Sequence, residues 1–485
     1  MMKSSIWKRQ ISRDGRWRMI FTSLIFPISA ALIALLIAAV LVAFSTYGWA
    51  IVIGTLIIVI VTILRQDELA VAIVAAVHLY VDWYLGARVA ALVIALLLLG
   101  IFYLARSPQH PWVGLRFFWL WLLLLAFAFF PAMNGLTLPD GFTYYLDIMF
   151  GAMLTFWLGT IVVQRVVSLR RFLSIFSLLG ALIAVHTLIQ QATGILLFGS
   201  SRYDAFLAIK NNLVLSGTDA SRVGSFFVDP NWNGTFLVML LFLPLAIYFE
   251  SKSLITKALC LVATFLMLIA VLSTFSNGAW VGSFAGLLIF VVLVGRIRYS
   301  VQILLITFII AAMMIILLPT QISLQIQHAS GAQELSSRVA AWNTAIKVIY
   351  AFPWTGVGLG TFAYLARADP FRDPLQSLPL AQPHNSYLEL GAMAGLPVLA
   401  IFMALLILAI YRALRNWTLS DRQTRALYAG GIASVVALSI NSVSINGWTL
   451  APIATVGWLI LGAISSSVVK KQQQFNDAKE SQWNT

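Results

Sequence analysis

The sequence predicts an all-α polytopic membrane protein, a bundle of roughly 12–14 transmembrane helices with two long extracytoplasmic loops. Three observations carry that prediction. Of the 485 residues, 61% are hydrophobic and only 10% are charged. A soluble domain is nearer half apolar and about a quarter charged, and no water-soluble fold of this length could hide so much apolar surface. The apolar residues also come in continuous runs rather than in the alternation of a barrel strand. Finally, the Lys and Arg residues cluster at alternate ends of those runs.

The runs fall at 20–43, 49–64, 69–84, 88–104, 117–131, 143–163, 172–190, 232–249, 258–274, 278–295, 301–318, 386–411, 427–443 and 449–468. The first is too long for a signal-peptide core and lacks a small-residue cleavage site, so it reads as a retained span. With the N-terminus inside, 23 of the 31 Lys and Arg residues fall on the inner side. The other eight are Arg88, Arg202, Lys210, Arg222, Arg338, Lys347, Arg367 and Arg372. This is the positive-inside pattern, and it puts both termini in the cytoplasm. The net charge of +14 is then a signature of topology, and no nucleic-acid partner is expected. Cys260 stands alone within an apolar run, so no internal disulfide is available.

The chain therefore divides into a cytoplasmic segment (1–19), N-terminal spans (20–190), an outer loop (191–231), middle spans (232–318), a second outer loop (319–385), C-terminal spans (386–469) and a polar cytoplasmic tail (470–485). Loops of such length in a compact protein are functional or disordered, and both keep aromatic and aliphatic residues. In the second, Leu335, Val339, Trp342, Ile346 and Ile349 recur at helical spacing, which predicts an amphipathic helix at the membrane surface. Trp354, Gly356, Gly358 and Gly360 then mark a tight, irregular backbone.

Three polar positions on the outer side have the chemistry for a diphosphate-lipid reaction. Arg222 lies in SRVGSFFVDPNWNG, Arg338 in SSRVAAWNTA and His384 in PHNSYLEL. Guanidinium groups bind phosphate oxygens bidentately and stay charged. An imidazole has the intrinsic pKa to accept a proton from a sugar hydroxyl. Each has a plainer alternative. A lone Arg at a membrane mouth is commonly an interfacial anchor, Glu334 is placed to pair with Arg338 at i,i+4, and His384 with Asn385 could cap the next helix. His78 and His186 are expected to bond inside the bundle. Asp82 lies near enough to pair with Arg88 at an outer span end. No metal-binding, Walker A or dinucleotide motif occurs, so neither metal nor cofactor is expected.

RVGSFFVDPNWNG at 222–234, RVAAWNTAIKVIYAFPWTGVGLGTF at 338–362 and HNSYLELGAMAGL at 384–396, in that order, resemble the O-antigen ligase and polymerase superfamily. The resemblance covers roughly 170–440. It implies metal-independent glycosyl transfer on the outer face of the cytoplasmic membrane. The donor would be a glycan on undecaprenyl diphosphate. The acceptor would be a glycan or lipid, such as the lipid A core of lipopolysaccharide, a growing repeat-unit chain or a protein. By motif, His384 resembles the family's suggested general base and Arg338 the Arg that holds the donor diphosphate. Arg222 resembles a secondary or structural phosphate contact. Asn385, Asp229, Asn231, Arg202 and Glu389 are secondary candidates. Two departures stand out. The family's Ser-Arg-Gly is Ser276-Asn277-Gly278 here, and Met393 occupies the neighbourhood of an expected Glu, with Glu389 a candidate substitute. Within the family, a polymerase of lipid-linked repeats is the alternative to a ligase. Outside enzymes, the alternative is an anion or bicarbonate transporter.

Overall fold

A computed structural model describes residues 67–79, 116–194, 222–294, 332–376 and 379–466, with isolated positions at 95 and 98 and between 301 and 323. The chain divides into two compact units, Met1–Gly114 and Leu115–Thr485. In the first, α1 (Asp67–Val77) occupies part of the run predicted at 69–84. The runs at 20–43 and 49–64, nearly all of 88–104, Asp82 and Arg88, and both terminal segments lie outside the described residues.

Among its described residues the second unit is built of helices and their connections and contains no strand. It starts with α2 (Phe118–Met133), then α3 (Leu138–Tyr144), a π-helical turn (Tyr145–Phe150) and α4 (Gly151–Val162). The long α5 follows (Val166–Thr193), then α6 (Pro230–Leu240), α7 (Phe242–Glu250), α8 (Leu254–Thr274) and α9 (Asn277–Val294). After these come α10 (Ala332–Ala351) and α11 (Thr361–Arg367), then α12 (Ser386–Ala394), α13 (Leu396–Leu419), α14 (Arg422–Asn441) and α15 (Ala451–Ser465).

Among the described residues, six segments are long and apolar enough to cross a membrane: Leu138–Val162, Val166–Thr193, Pro230–Glu250, Leu254–Thr274, Asn277–Val294 and Leu396–Leu419. The first five overlap the predicted runs at 143–163, 172–190, 232–249, 258–274 and 278–295, and the sixth overlaps only part of the run at 386–411. Their outer faces carry bare hydrocarbon, with Leu178, Leu254, Phe284 and Ile407 more than half exposed, as a lipid solvent permits. Helix α14 differs. It runs through the middle of the unit, packed by α7, α9, α13 and α15. Its faces meet protein rather than lipid, so it carries Ser434 and Asn441 among its buried residues. Gly278, Gly282 and Gly286 recur every fourth residue on α9 and bring it against α14; a Cβ at Gly282 would meet Ala437 O at 2.9 Å. Small residues at this spacing are how membrane helices approach closely.

The run predicted at 386–411 as one span is two helices. Gly395 breaks it at φ +86, and Leu396 N turns to Pro353 O at 2.7 Å. A side chain at Gly395 would collide with the carbonyl of Trp354, so the motif half (α12) is separated from the spanning half (α13) by a close backbone crossing. The amphipathic helix predicted in the second loop is α10, and its packed face only partly coincides with the predicted stripe. Ala340, Ala341, Thr344, Ala345 and Val348 are buried, whereas Val339 and Ile346 are exposed. The small residues let α10 lie tightly on α12, where Ile349 also packs against Gly391, while Trp342 is half-buried.

An aromatic cluster fixes the other side of the unit. Trp458 of α15 meets Trp121 of α2 at 5.1 Å, Phe402 of α13 at 5.5 Å and Trp448 at 4.9 Å between ring centroids. Trp448 belongs to the connection between α14 and α15, so its burial pins that connection in place.

Candidate active site at the motif end of the bundle

The three motifs gather at one end of the second unit, where α8 and α14 end and α6, α9, α12 and α15 begin. In the first motif, Arg222 Nε donates to Thr274 O at 3.0 Å, and Nη2 donates to Asn231 Oδ1 at 2.7 Å and to Phe275 O at 3.4 Å. The guanidinium thus caps the last carbonyls of α8. Asp229 caps α6 by accepting from Asn231 N at 2.7 Å, with Pro230 preorganised at the first helical position. From beneath, α5 holds the segment: His186 Nδ1 lies 2.6 Å from Ser225 Oγ, and Ser225 N donates to Gln190 Oε1 at 2.9 Å. These anchors keep Val228 at φ +67, a conformation a β-branched residue adopts only when its surroundings impose it.

In the second motif, Arg338 reaches from α10 and donates from Nη1 to Ser444 O at 2.6 Å. The side chain of Glu334, the alternative partner, lies outside the described residues. The loop after α11 is strapped to α10 by Asp373 N donating to Thr344 Oγ1 at 2.9 Å and by Asn343 Nδ2 donating to Asp373 Oδ2 at 3.2 Å.

In the third motif, His384 is half-buried and sits at φ +52, in the left-handed region. Asn385 caps α12, its Oδ1 accepting from Tyr387 N at 3.0 Å and Leu388 N at 3.1 Å. Ser386 N donates to Ser442 O at 2.9 Å. One turn into α12, the buried Glu389 accepts from Tyr144 OH and from Thr449 Oγ1, each at 2.8 Å. Burial pushes the Glu389 carboxyl up to about 7, against the pull of the Thr449 and Tyr144 hydroxyls. Met393 is fully buried apolar core.

What joins the motifs is the connection between α14 and α15, residues 442–450, a short link between the predicted runs at 427–443 and 449–468. Arg338 holds Ser444 and the backbone beside His384 holds Ser442. Two residues span at most roughly 7 Å of chain, so the Arg and His motifs converge on one turn. Asn446 completes the junction: its Oδ1 accepts from Trp232 Nε1 at 2.9 Å, and its Nδ2 donates to Gln382 Oε1 at 2.8 Å. The family's Ser-Arg-Gly position lies here too. A side chain at Gly278 would collide with Ser444 Oγ and Asn441 Oδ1, so Asn277 stands beside the same turn. Arg202 lies outside the described residues. The available signal for this connection was Asn446-Gly447, a turn dipeptide in a polar break between two apolar runs.

This is a polar, partly buried junction with two guanidinium groups and an imidazole, suited to holding an anionic group beside a proton acceptor. Residues 262–403 match the family model described as O-antigen ligase. No curated protein matches the chain. The matched segment contains Asn277, Arg338 and His384, while Arg222 and the 442–450 connection fall outside it. The likeness to the O-antigen ligase family thus rests on that segment, which carries the two most specific motifs.

Proposed function

We propose that the protein transfers a glycan from undecaprenyl diphosphate to an acceptor hydroxyl, on the extracytoplasmic face of the cytoplasmic membrane, in the building of a cell-surface polysaccharide. The observation that carries this reading is the convergence of the Arg338 and His384 motifs on the Ser442–Ser444 turn. His384 takes the proton of the acceptor hydroxyl. The freed oxygen attacks the anomeric carbon opposite the diphosphate, a new C–O bond forms, and the bond to the diphosphate oxygen breaks with inversion. Undecaprenyl diphosphate leaves with the electron pair. Arg338 stabilises the charge growing on it, the kind of preorganised interaction that favours a transition state over a ground state. Arg222 acts mainly by fixing the end of α8 and Asn231 beside the donor. The donor bond is already activated, so the reaction needs no nucleotide and no metal.

The test is turnover of the purified full chain with a lipid-linked repeat unit and a separate acceptor. Replacing His384 by Ala should lower transfer by about 10²–10⁴-fold, the range of a lost general base, with helicity and detergent stability retained. Unchanged turnover in that variant removes His384 from the mechanism. The products decide the finer assignment: longer lipid-linked chains identify a polymerase, and a glycosylated separate acceptor identifies a ligase.

A further inference from the structure

The opposite end of the bundle holds a second polar feature. There α7 ends, α8 begins, and α13 turns into α14. Between them lies a cleft of about 690 Å³ whose lining includes Lys252, Lys257, Arg422, Arg425, Glu250 and Trp417. Its carboxylates are already engaged. Glu250 pairs with Arg170 at 3.0 Å, and Asp421, at the edge, caps α14 by accepting from Thr424 N at 2.8 Å. Counting these, five cationic side chains face two carboxylates, an excess of three positive charges.

The floor of the cleft is braced. Arg425 donates from Nε to Ser420 O at 3.0 Å and from Nη2 to Thr418 O at 3.1 Å, and its guanidinium sits 5.5 Å from the Trp417 ring centre. Trp417 Nε1 in turn donates to Leu293 O at 3.0 Å. Lys252 and Arg422 stand exposed. The N-termini of α8 and α14 both open here and add partial positive charge. Beside the cleft the first turns of α8 are bare hydrocarbon, with Leu254 81%, Ile255 75% and Leu259 65% exposed. Leu254 is three residues from Lys257, so cation and hydrocarbon share one helix face.

A soluble anion would use the charge and leave the hydrocarbon unexplained; an anionic lipid uses both. We propose that this cleft binds the phosphate headgroup of an anionic phospholipid, whose acyl chains lie along the exposed face of α8. The site is separate from the transfer site and does not depend on it. Basic pockets between membrane helices are suited to such headgroups.

The full chain, purified in detergent, would be mixed with phosphatidylglycerol, phosphatidylcholine or glycerol phosphate, and bound lipid counted by native mass spectrometry. Phosphatidylglycerol should be retained at least tenfold over phosphatidylcholine, and equimolar glycerol phosphate should not displace it. Lys252→Gln and Arg422→Gln should each weaken retention about fivefold, and together roughly thirtyfold. Both side chains are exposed, and an unchanged thermal midpoint in phosphatidylcholine would verify the fold. Arg372→Gln, which removes an exposed cation elsewhere, paired to Asp369 at 3.4 Å, should leave retention unchanged. Equal retention of the two lipids, displacement by glycerol phosphate, or full retention in both Gln variants would overturn the proposal.

Discussion

At the motif end of the bundle, the polar side chains that join the elements point into protein; at the basic end, most of the cationic side chains reach solvent. Glu389, Ser386, Asn441, Asn446 and Thr449 are all buried, and each has a named partner on another element or loop. At the other end, Lys252, Arg415, Arg422 and Arg425 are exposed, and Arg425 satisfies itself on its own connecting turn. The difference follows from desolvation. A buried polar group that loses its partner costs about 1–3 kcal/mol, whereas an exposed one exchanges the protein for water. The motif end therefore needs one geometry, and the basic end needs only charge.

The sharpest way to break that comparison is to remove one cation from each end. Arg338→Ala should lower transfer by about 10²–10³-fold, the usual consequence of deleting a preorganised donor to developing charge. Arg338→Lys should recover little, because an ammonium does not reproduce the planar fork. Arg415→Gln, at the basic end, should change turnover less than twofold. Initial-rate assays on matched amounts of folded protein give the answer. Comparable losses at both ends would mean that net charge, rather than geometry, is what turnover requires.

A smaller effect tests whether the 442–450 connection is the organiser it resembles. Asn446→Ala leaves Trp232 Nε1 and Gln382 Oε1 without their present partner. Two such losses should destabilise the junction by about 2 kcal/mol and lower turnover about tenfold, with the product unchanged. A variant as active and as stable as the parent would show that the first and third motifs hold their positions without Asn446.

The fold was legible wherever lipid imposes a rule. Runs of apolar residues located α8 and α9 within a few residues, because the bilayer leaves a span no other solution. The sequence misled where protein replaced lipid as the surroundings. The span expected at 386–411 breaks at Gly395 because the Pro353–Trp354 backbone crosses there, a tertiary fact with no local signature beyond the glycine itself. The bulky stripe of α10 located its packed face only in part: Ile349 packs on α12, but most of the buried positions are Ala340, Ala341 and Ala345, which pack by being small. Arg338 and His384 stood out in the sequence because their motifs are strung with aromatics and glycines. Asn446 and Thr449 did not, since a polar residue in a short link takes its meaning from partners about 60–210 residues away.

Glu389 offers the finest distinction between the two ends, through pH. Its carboxyl is moved from 4.5 to about 7, chiefly by burial. The folded protein therefore holds this proton more tightly than the unfolded chain. The stability it contributes is complete below pH 4.5 and is lost as pH rises through about 7. The thermal midpoint of the parent should fall by several degrees between pH 5 and pH 8. In Glu389→Gln that slope should flatten, because the amide cannot ionise, yet its oxygen still accepts from one hydroxyl and its nitrogen donates to the other. Scanning calorimetry in one detergent at four pH values separates the cases. If parent and variant share the same slope, the pH dependence arises from another group, and the network joining Tyr144, Glu389 and Thr449 is held by neutral packing rather than by a proton that burial retains.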